Sequence, residues 1–220
     1  MNKLSSIRSM KKQVLPIIES KILHYSFEGG TATDNFNSYN GIDNSNNSIV
    51  STNAKYGSFS CRSDGLGGSK QFVTAPSFPF DNSKGLTFSM WIYTIAQPAI
   101  IDTKIFEFTR EGIMLWNGKQ SNNYDFANGT VFTMPLASWN HLVVSITSSS
   151  DINVYVNNVL TVTETITGKY PLGNIFPSGN IGRSLSTRHS SHNGYIDDFK
   201  IYNKILSLNE VGYLYNGISL

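Results

Sequence analysis

From Ile22 onward the apolar residues come in short runs, alternating or continuous, cut apart by clusters of Gly, Asn, Ser and Asp. No helical stripe interrupts them before the tail at Ser207. The runs read as strands near 22–27, 58–62, 71–74, 86–94, 104–109, 112–116, 140–147, 152–156, 159–165, 179–182 and 195–202. So many short strands without a long helical crossover require antiparallel pairing, and they bury their apolar residues as two packed sheets. Strand 86–94 shows the logic: Leu86, Phe88, Met90 and Ile92 form the row facing the core. Thr87, Ser89, Trp91 and Tyr93 form an outer row, whose aromatics are either covered by a loop or open to a ligand.

Local signals fix the joints. Asn157-Asn158 links Tyr155-Val156 to Val159-Leu160, and Asn tolerates the positive φ of a two-residue hairpin. Ser207 with Glu210 forms a capping box, and Leu208, Val211, Leu214 and Tyr215 form one face of a short C-terminal helix. Residues 29–48 and 184–193 read as long polar loops. The composition agrees, since charged residues are only 15% and their place is taken by 23 Asn, 29 Ser and 16 Thr. At 220 residues the chain buries a full core, roughly 70% of the unfolded surface, without metal or disulfide staples.

Charge divides the chain into an arm, 1–21, and a body, 22–220. Lys3, Arg8, Lys11, Lys12 and Lys21 stand against Glu19 alone, so the arm is +4 and, with a total of +2, the body is −2. A body of that charge lacks the clustered Lys and Arg that nucleic acid requires. In the arm, Ile7, Met10, Val14 and Ile17 make one helical stripe, capped by Ser5 or Ser6 and stopped by Pro16. Such an arm lies on its own domain or docks on a partner or anionic surface. Its apolar run, Val14 to Ile18, is too short for a signal-peptide core, and no stretch is long enough for a transmembrane segment. Cys61, the single cysteine, reads as a buried small hydrophobe.

The body resembles the laminin G-like, concanavalin A-like jelly rolls. The resemblance is carried by His24-Tyr25-Ser26-Phe27-Glu28; by Lys55-Tyr56-Gly57-Ser58-Phe59-Ser60; by Leu86-Thr87-Phe88-Ser89-Met90-Trp91-Ile92; by Trp139-Asn140-His141-Leu142-Val143-Val144; and by Gly194-Tyr195-Ile196-Asp197-Asp198-Phe199-Lys200-Ile201-Tyr202. It departs from the family where Asn140 replaces the first His of Trp-His-His and where Asn158 replaces the Gly of Asn-Gly. It implies an all-β, two-sheet jelly-roll β-sandwich, mostly used for binding and adhesion, with glycans, proteins or lipids as ligands and calcium in many members.

Related jelly rolls include glycoside hydrolases, which need two carboxyl groups about 5–5.5 Å apart in their retaining form. Glu107-Phe108-Thr109-Arg110-Glu111 has the wrong spacing, and Asp197 and Asp198 are adjacent and point to opposite faces of a strand. The expectation is a non-enzymatic protein. His24 and His141 read as core histidines, and His189 and His192 lie in the polar loop 184–193. By alternation Asp197 shares the core-side face of Phe199 and Ile201, where a carboxylate needs donors or a cation. The resemblance implies a structural calcium ion there, shared with Glu28 and Asp34; the other reading is a carboxylate accepting backbone N–H bonds. A glycan site is expected at the loop rim, from Trp116, Asn117, Tyr124, Arg188 and His192.

Two functions follow as expectations. One is a lectin-like module that binds a glycan or protein surface. The other is a decoration subunit of a virion or other large particle, made without a signal peptide and tethered by residues 1–21.

Overall fold

The structure, a computed structural model, describes residues 20–36, 38–45, 47–66, 70–96, 103–109, 113–117, 123–127, 129–165, 173–186 and 189–218, with Trp116 and Asn117 described by backbone alone. The arm expected over 1–21 therefore lies outside the described residues up to residue 19. Lys21 already opens the first strand.

In chain order the strands are β1 (Lys21–Tyr25), β2 (Ile42–Asp43), β3 (Ile49–Val50), β4 (Ser60–Asp64), β5 (Val73–Ala75), β6 (Phe78–Pro79) and β7 (Leu86–Thr94). Then come β8 (Thr103–Glu107), β9 (Met114–Asn117), β10 (Asn123–Phe126), β11 (Thr130–Thr133), β12 (Trp139–Ile146), β13 (Asp151–Val156) and β14 (Val159–Thr165). The chain closes with β15 (Ile175–Phe176), β16 (Gly179–Ile181), β17 (Ser190–Ser191), β18 (Asn193–Tyr202) and helix α1 (Leu208–Tyr215). One sheet runs β14-β13-β12-β7-β18-β4-β3, with β1 pairing the far half of β18. The other runs β11-β10-β9-β8-β16-β5-β2, with β17 beside β8, and β15 pairs β6 separately. This is the expected two-sheet jelly roll.

Strands β7 and β12 hold the first sheet together, in register from Trp139 opposite Tyr93 to Ile146 opposite Leu86. Both are rich in β-branched and aromatic residues, which suit a pleated, half-buried surface. Their inward rows meet the second sheet around Phe88, whose ring lies 5.2 Å from Phe106 and 6.3 Å from Phe126. Cys61 is buried in this core, as expected, and burial pushes its thiol up.

The joints form as the sequence indicates. Asn157 and Asn158 have φ of 50° and 67°, closing the β13–β14 hairpin, and Ser207 and Glu210 complete the capping box of α1. Val211 and Leu214 are buried, but Leu208, expected on the same face, is 58% exposed. The hairpin of β10 and β11 went unanticipated, because each strand has four residues and points only two of them inward.

The largest correction concerns β18. Its register slips between Asp197 and Lys200, and Asp198 takes a left-handed φ of 51°. The extra residue of this bulge reverses the parity. Asp197 stands opposite Trp91 on the outer face of the first sheet, not with Phe199 and Ile201 on the core side.

Candidate functional site

The outer face of the first sheet divides into cross-strand rows. The row nearest the Asn193 end of β18 runs Arg62, Tyr195, Tyr93, Trp139 across β4, β18, β7 and β12, each residue directly opposite the next. All four are half-buried. The Tyr93 ring centroid is 6.0 Å from that of Tyr195 and 5.7 Å from that of Trp139, edge to face in both pairs. The Arg62 guanidinium lies 5.1 Å from the Tyr195 centroid and donates to the Gly194 carbonyl. Trp139 Nε1 donates to Asn53 Oδ1 at 3.2 Å, and Thr52 Oγ1 donates to the Tyr195 hydroxyl at 3.4 Å. The result is a band of apolar ring surface edged by a guanidinium, a phenol and an amide.

The next row, Asp197, Trp91 and His141, is covered. Tyr56 and Tyr215 pack on Trp91 at 5.8 Å each, and the Lys55 ammonium sits 3.8 Å above its ring. Two carboxylates anchor this cover. Asp197 Oδ2 accepts the backbone N–H groups of Lys55 and Tyr56 at 2.8 and 3.0 Å, and Glu28 accepts those of Ser58 and Phe59. Between them Gly57 has φ of 60°, and a Cβ there would collide with the Glu28 carboxyl group. Burial, opposed by those N–H bonds, raises the Asp197 pKa to about 6. His141 is buried, with Nε2 at 3.0 Å from Ser89 Oγ, and burial, aided by the charge of Lys200, pushes it down to about 3.

Further along β18, Asp198 bonds to His24 Nε2 at 2.8 Å and pairs with Lys200. Burial alone would raise its pKa, but the His24 bond and the Lys200 charge hold it below the usual carboxylate range. A cavity of about 180 Å³ opens here between β1, β18 and the end of α1.

The expected sites are corrected by this geometry. Asp34 accepts N–H bonds from His24, Phe36 and Tyr39, while Glu28 and Asp197 hold the 55–59 loop. Asp34 thus serves one stretch of backbone and Glu28 and Asp197 another, and among the described residues no group of three His, Cys, Asp or Glu could hold a metal. They do not fit the calcium ion the resemblance implied; Asp197 follows the other reading, that of a carboxylate accepting backbone N–H bonds.

Nor does the expected rim site assemble. Tyr124 is 1% exposed, stacked on Phe132 with its hydroxyl donating to Thr94 Oγ1 at 2.8 Å, and burial raises its pKa to about 12. An inward-facing residue of β10 cannot serve as a surface platform. His192 is 1% exposed, beside the equally buried Ser190 and Ser191, and burial pushes the ring to about 3. The neighbouring Tyr93 carbonyl opposes that fall only in part. Trp116 and Asn117 are placed in β9, opposite Asp125 and Tyr124, and Arg188 lies outside the described residues. Of the open row, Tyr93 was legible as outward-facing. Trp139, Tyr195 and Arg62 were missed, because only strand register puts them beside it.

Comparison with known proteins supplies the relationship. No curated protein matches the chain. Domain 4 of AbnA, an extracellular GH43 arabinanase from Geobacillus stearothermophilus solved in complex with arabinotriose, superposes with a TM-score of 0.67 at 19% identity, covering 89% of this chain and 98% of that one. The binding domain of botulinum neurotoxin serotype D superposes with a TM-score of 0.65 at 16% identity, covering 92% of this chain, which spans only 53% of that one. The binding domain of Paraclostridial Mosquitocidal Protein 1 gives 0.67 at 15%, with 92% and 53% covered. At these identities the likeness is one of fold. A family model matches residues 66–212, and the chain belongs to the concanavalin A-like lectin/glucanases superfamily.

Proposed function

We propose that the protein is a non-enzymatic glycan-recognition module whose binding surface is the row Arg62, Tyr195, Tyr93 and Trp139. The observation that carries this reading is the set of three half-buried aromatic rings in one cross-strand register, flanked by Arg62, Asn53 and Thr52. A sugar lays an apolar face on a ring while its hydroxyls meet amide and guanidinium groups, and amphipathic rings with one wet end suit that task. The arabinotriose bound to the superposable arabinanase domain supports a glycan as ligand.

The buried carboxylates support recognition rather than hydrolysis. Glu107 accepts Ser184 Oγ and the Leu185 N–H, Asp197 holds the loop, and Asp198 is paired with two basic side chains. Glycoside hydrolysis needs a pair of carboxyl groups flanking a bound sugar. No helix among the described residues is long and apolar enough to cross a membrane. The test is a multivalent glycan array that includes arabino-oligosaccharides, probed with wild type, Trp139→Ala and Arg62→Gln. Binding lost in both variants with unchanged melting supports the reading. Wild-type protein that retains no glycan, or a folded Trp139→Ala protein that binds as wild type does, overturns it.

A further inference from the structure

We infer that the glycan taken by the aromatic row is an acidic one, whose anionic substituent, a carboxylate or a sulfate ester, is held by Arg62. The class of sugar rests on the reading of that row as a glycan site. Arg62 stands at the β4 end of the row, half-buried, and two contacts fix its head. The guanidinium lies 5.1 Å from the Tyr195 ring centroid, and Nη1 donates to the Gly194 carbonyl at 3.3 Å. Among the described residues Arg62 stands in no ion pair. A guanidinium carries a fork of five N–H donors, so most of them are left for a ligand. Held in place beforehand, such a fork takes an oxyanion through two parallel bonds and gives up little freedom in doing so.

The carboxylates two residues along the same strands are engaged elsewhere. Asp64 on β4 accepts the Leu66 N–H and the Ser191 hydroxyl through Oδ1. Asp197 on β18, two beyond Tyr195, accepts the N–H groups of Lys55, Tyr56 and Asp198. Within the row, with Thr52 and Asn53 at its edge, the one charged side chain is therefore positive. The covered row adds a second cation on the same side of the sheet: the Lys55 ammonium lies 3.8 Å above Trp91 and forms no ion pair among the described residues. Strand spacing sets the reach. The row crosses three inter-strand gaps from β4 to β12, about 15 Å, which is room for more than one sugar unit. An uncharged unit then lies against Tyr93 and Trp139 while the acidic unit meets Arg62.

The experiment measures binding of the full chain to multivalent oligosaccharides in matched pairs: a uronate-containing glycan beside its carboxyl-reduced form, and a sulfated glycan beside its desulfated form. The acidic member of at least one pair should bind about tenfold more tightly than its neutral partner, the gain of one charge-assisted contact. A preference confined to the first pair assigns a carboxylate and one confined to the second a sulfate ester; either supports the inference, as does a preference in both. Arg62→Gln should bring the two members of a pair level. Should that variant not fold, Arg62→Lys, which keeps the charge and loses the fork, should cut the preference about threefold. Neutral members bound as tightly as acidic ones, or a folded Arg62→Gln protein that keeps the full preference, overturns the inference and leaves the glycan reading standing. No glycan retained at all, neutral or acidic, overturns the glycan reading and the acidic class with it.

Discussion

Trp91 and Tyr93 are two residues apart on β7 and point to the same side of the same sheet, yet Trp91 is 3% exposed and Tyr93 remains half open. Strand alternation gives the two residues identical orientations. What separates them is the cover: Lys55 and Tyr56 from the loop, and Tyr215 from α1, all lie over Trp91. The loop part of that cover is held by two carboxylates, Glu28 and Asp197, through four backbone N–H groups. The surface left for a ligand on this sandwich is thus set by where the loop is anchored. The strands supply rows of side chains, and the anchors decide which row stays open.

Acid is the strongest lever on this difference, since the open row holds no histidine or carboxylate and the covered row holds both. His141 in the covered row and His192, which belongs to neither row but counts toward the stability of the whole fold, are pushed by burial from 6.5 to about 3. Between those values the unfolded chain binds more protons than the folded one, so stability falls as pH falls through that window. Asp197 acts in the opposite sense. Raised from 3.8 to about 6, it binds its proton more readily when folded and returns stability as pH drops through that range. At pH 5 the two histidines together cost about 4 kcal/mol and Asp197 returns about 1, a net loss of about 3 kcal/mol relative to pH 7. Urea unfolding at the two pH values measures it, and Asp197→Asn should steepen the loss. A wild-type stability unchanged between pH 5 and 7 would show that both rings take up protons without cost.

Gly57 offers a smaller and more local way to uncover Trp91. Its φ of 60° disfavours any side chain, and the Glu28 carboxyl occupies the place of a Cβ. Gly57→Ala should therefore cost about 2 kcal/mol and raise the fluorescence quenching of Trp91 by acrylamide. Removing Glu28 clears the collision but also two of the anchors. The double variant Glu28→Ala/Gly57→Ala should then lose less than the two single losses added together. Additive losses would mean that the loop is held chiefly by Asp197.

These contrasts separate what the sequence discloses from what it withholds. β7, β12, the Asn157-Asn158 hairpin and the capping box of α1 are readable because their signals are local: an alternation, a pair of turn residues, a spacing of three. The β10–β11 hairpin is not, for two inward residues per strand do not make a pattern. The loop 184–193 looks solvated, yet Ser184 and Ser191 are buried because distant carboxylates receive them, Ser184 on Glu107 and Ser191 on Asp64. The bulge at Asp198 costs more, since one extra residue moves Asp197 from one face of the sheet to the other. The candidate site suffers in the same way. Tyr93 is visibly outward, but its neighbours Trp139 and Tyr195 lie 46 and 102 positions away in sequence, and only the register of β12 and β18 brings them to its side.

The smallest expected effect tests whether the β13–β14 turn supports the covered end of the sheet. Its two asparagines differ in what their side chains do. Asn157 Oδ1 accepts the His141 N–H at 2.9 Å and its Nδ2 donates to Asn140 Oδ1 at 3.0 Å, tying the turn to the strand that carries the covered histidine. Asn158 makes no such tie: its Oδ1 is buried without a partner, beside Gly212 of α1. With φ of 67° it occupies the second position of a turn that favours Gly there. Asn158→Gly relieves the backbone and removes an unsatisfied oxygen, against the greater freedom of Gly in the unfolded chain. A gain of about 0.5 kcal/mol in urea unfolding is expected, with the Trp91 environment unchanged in fluorescence. A loss of stability together with a shift in Trp91 emission would show that the Asn158 side chain holds α1 over the sheet, and would place the hairpin among the anchors of the cover.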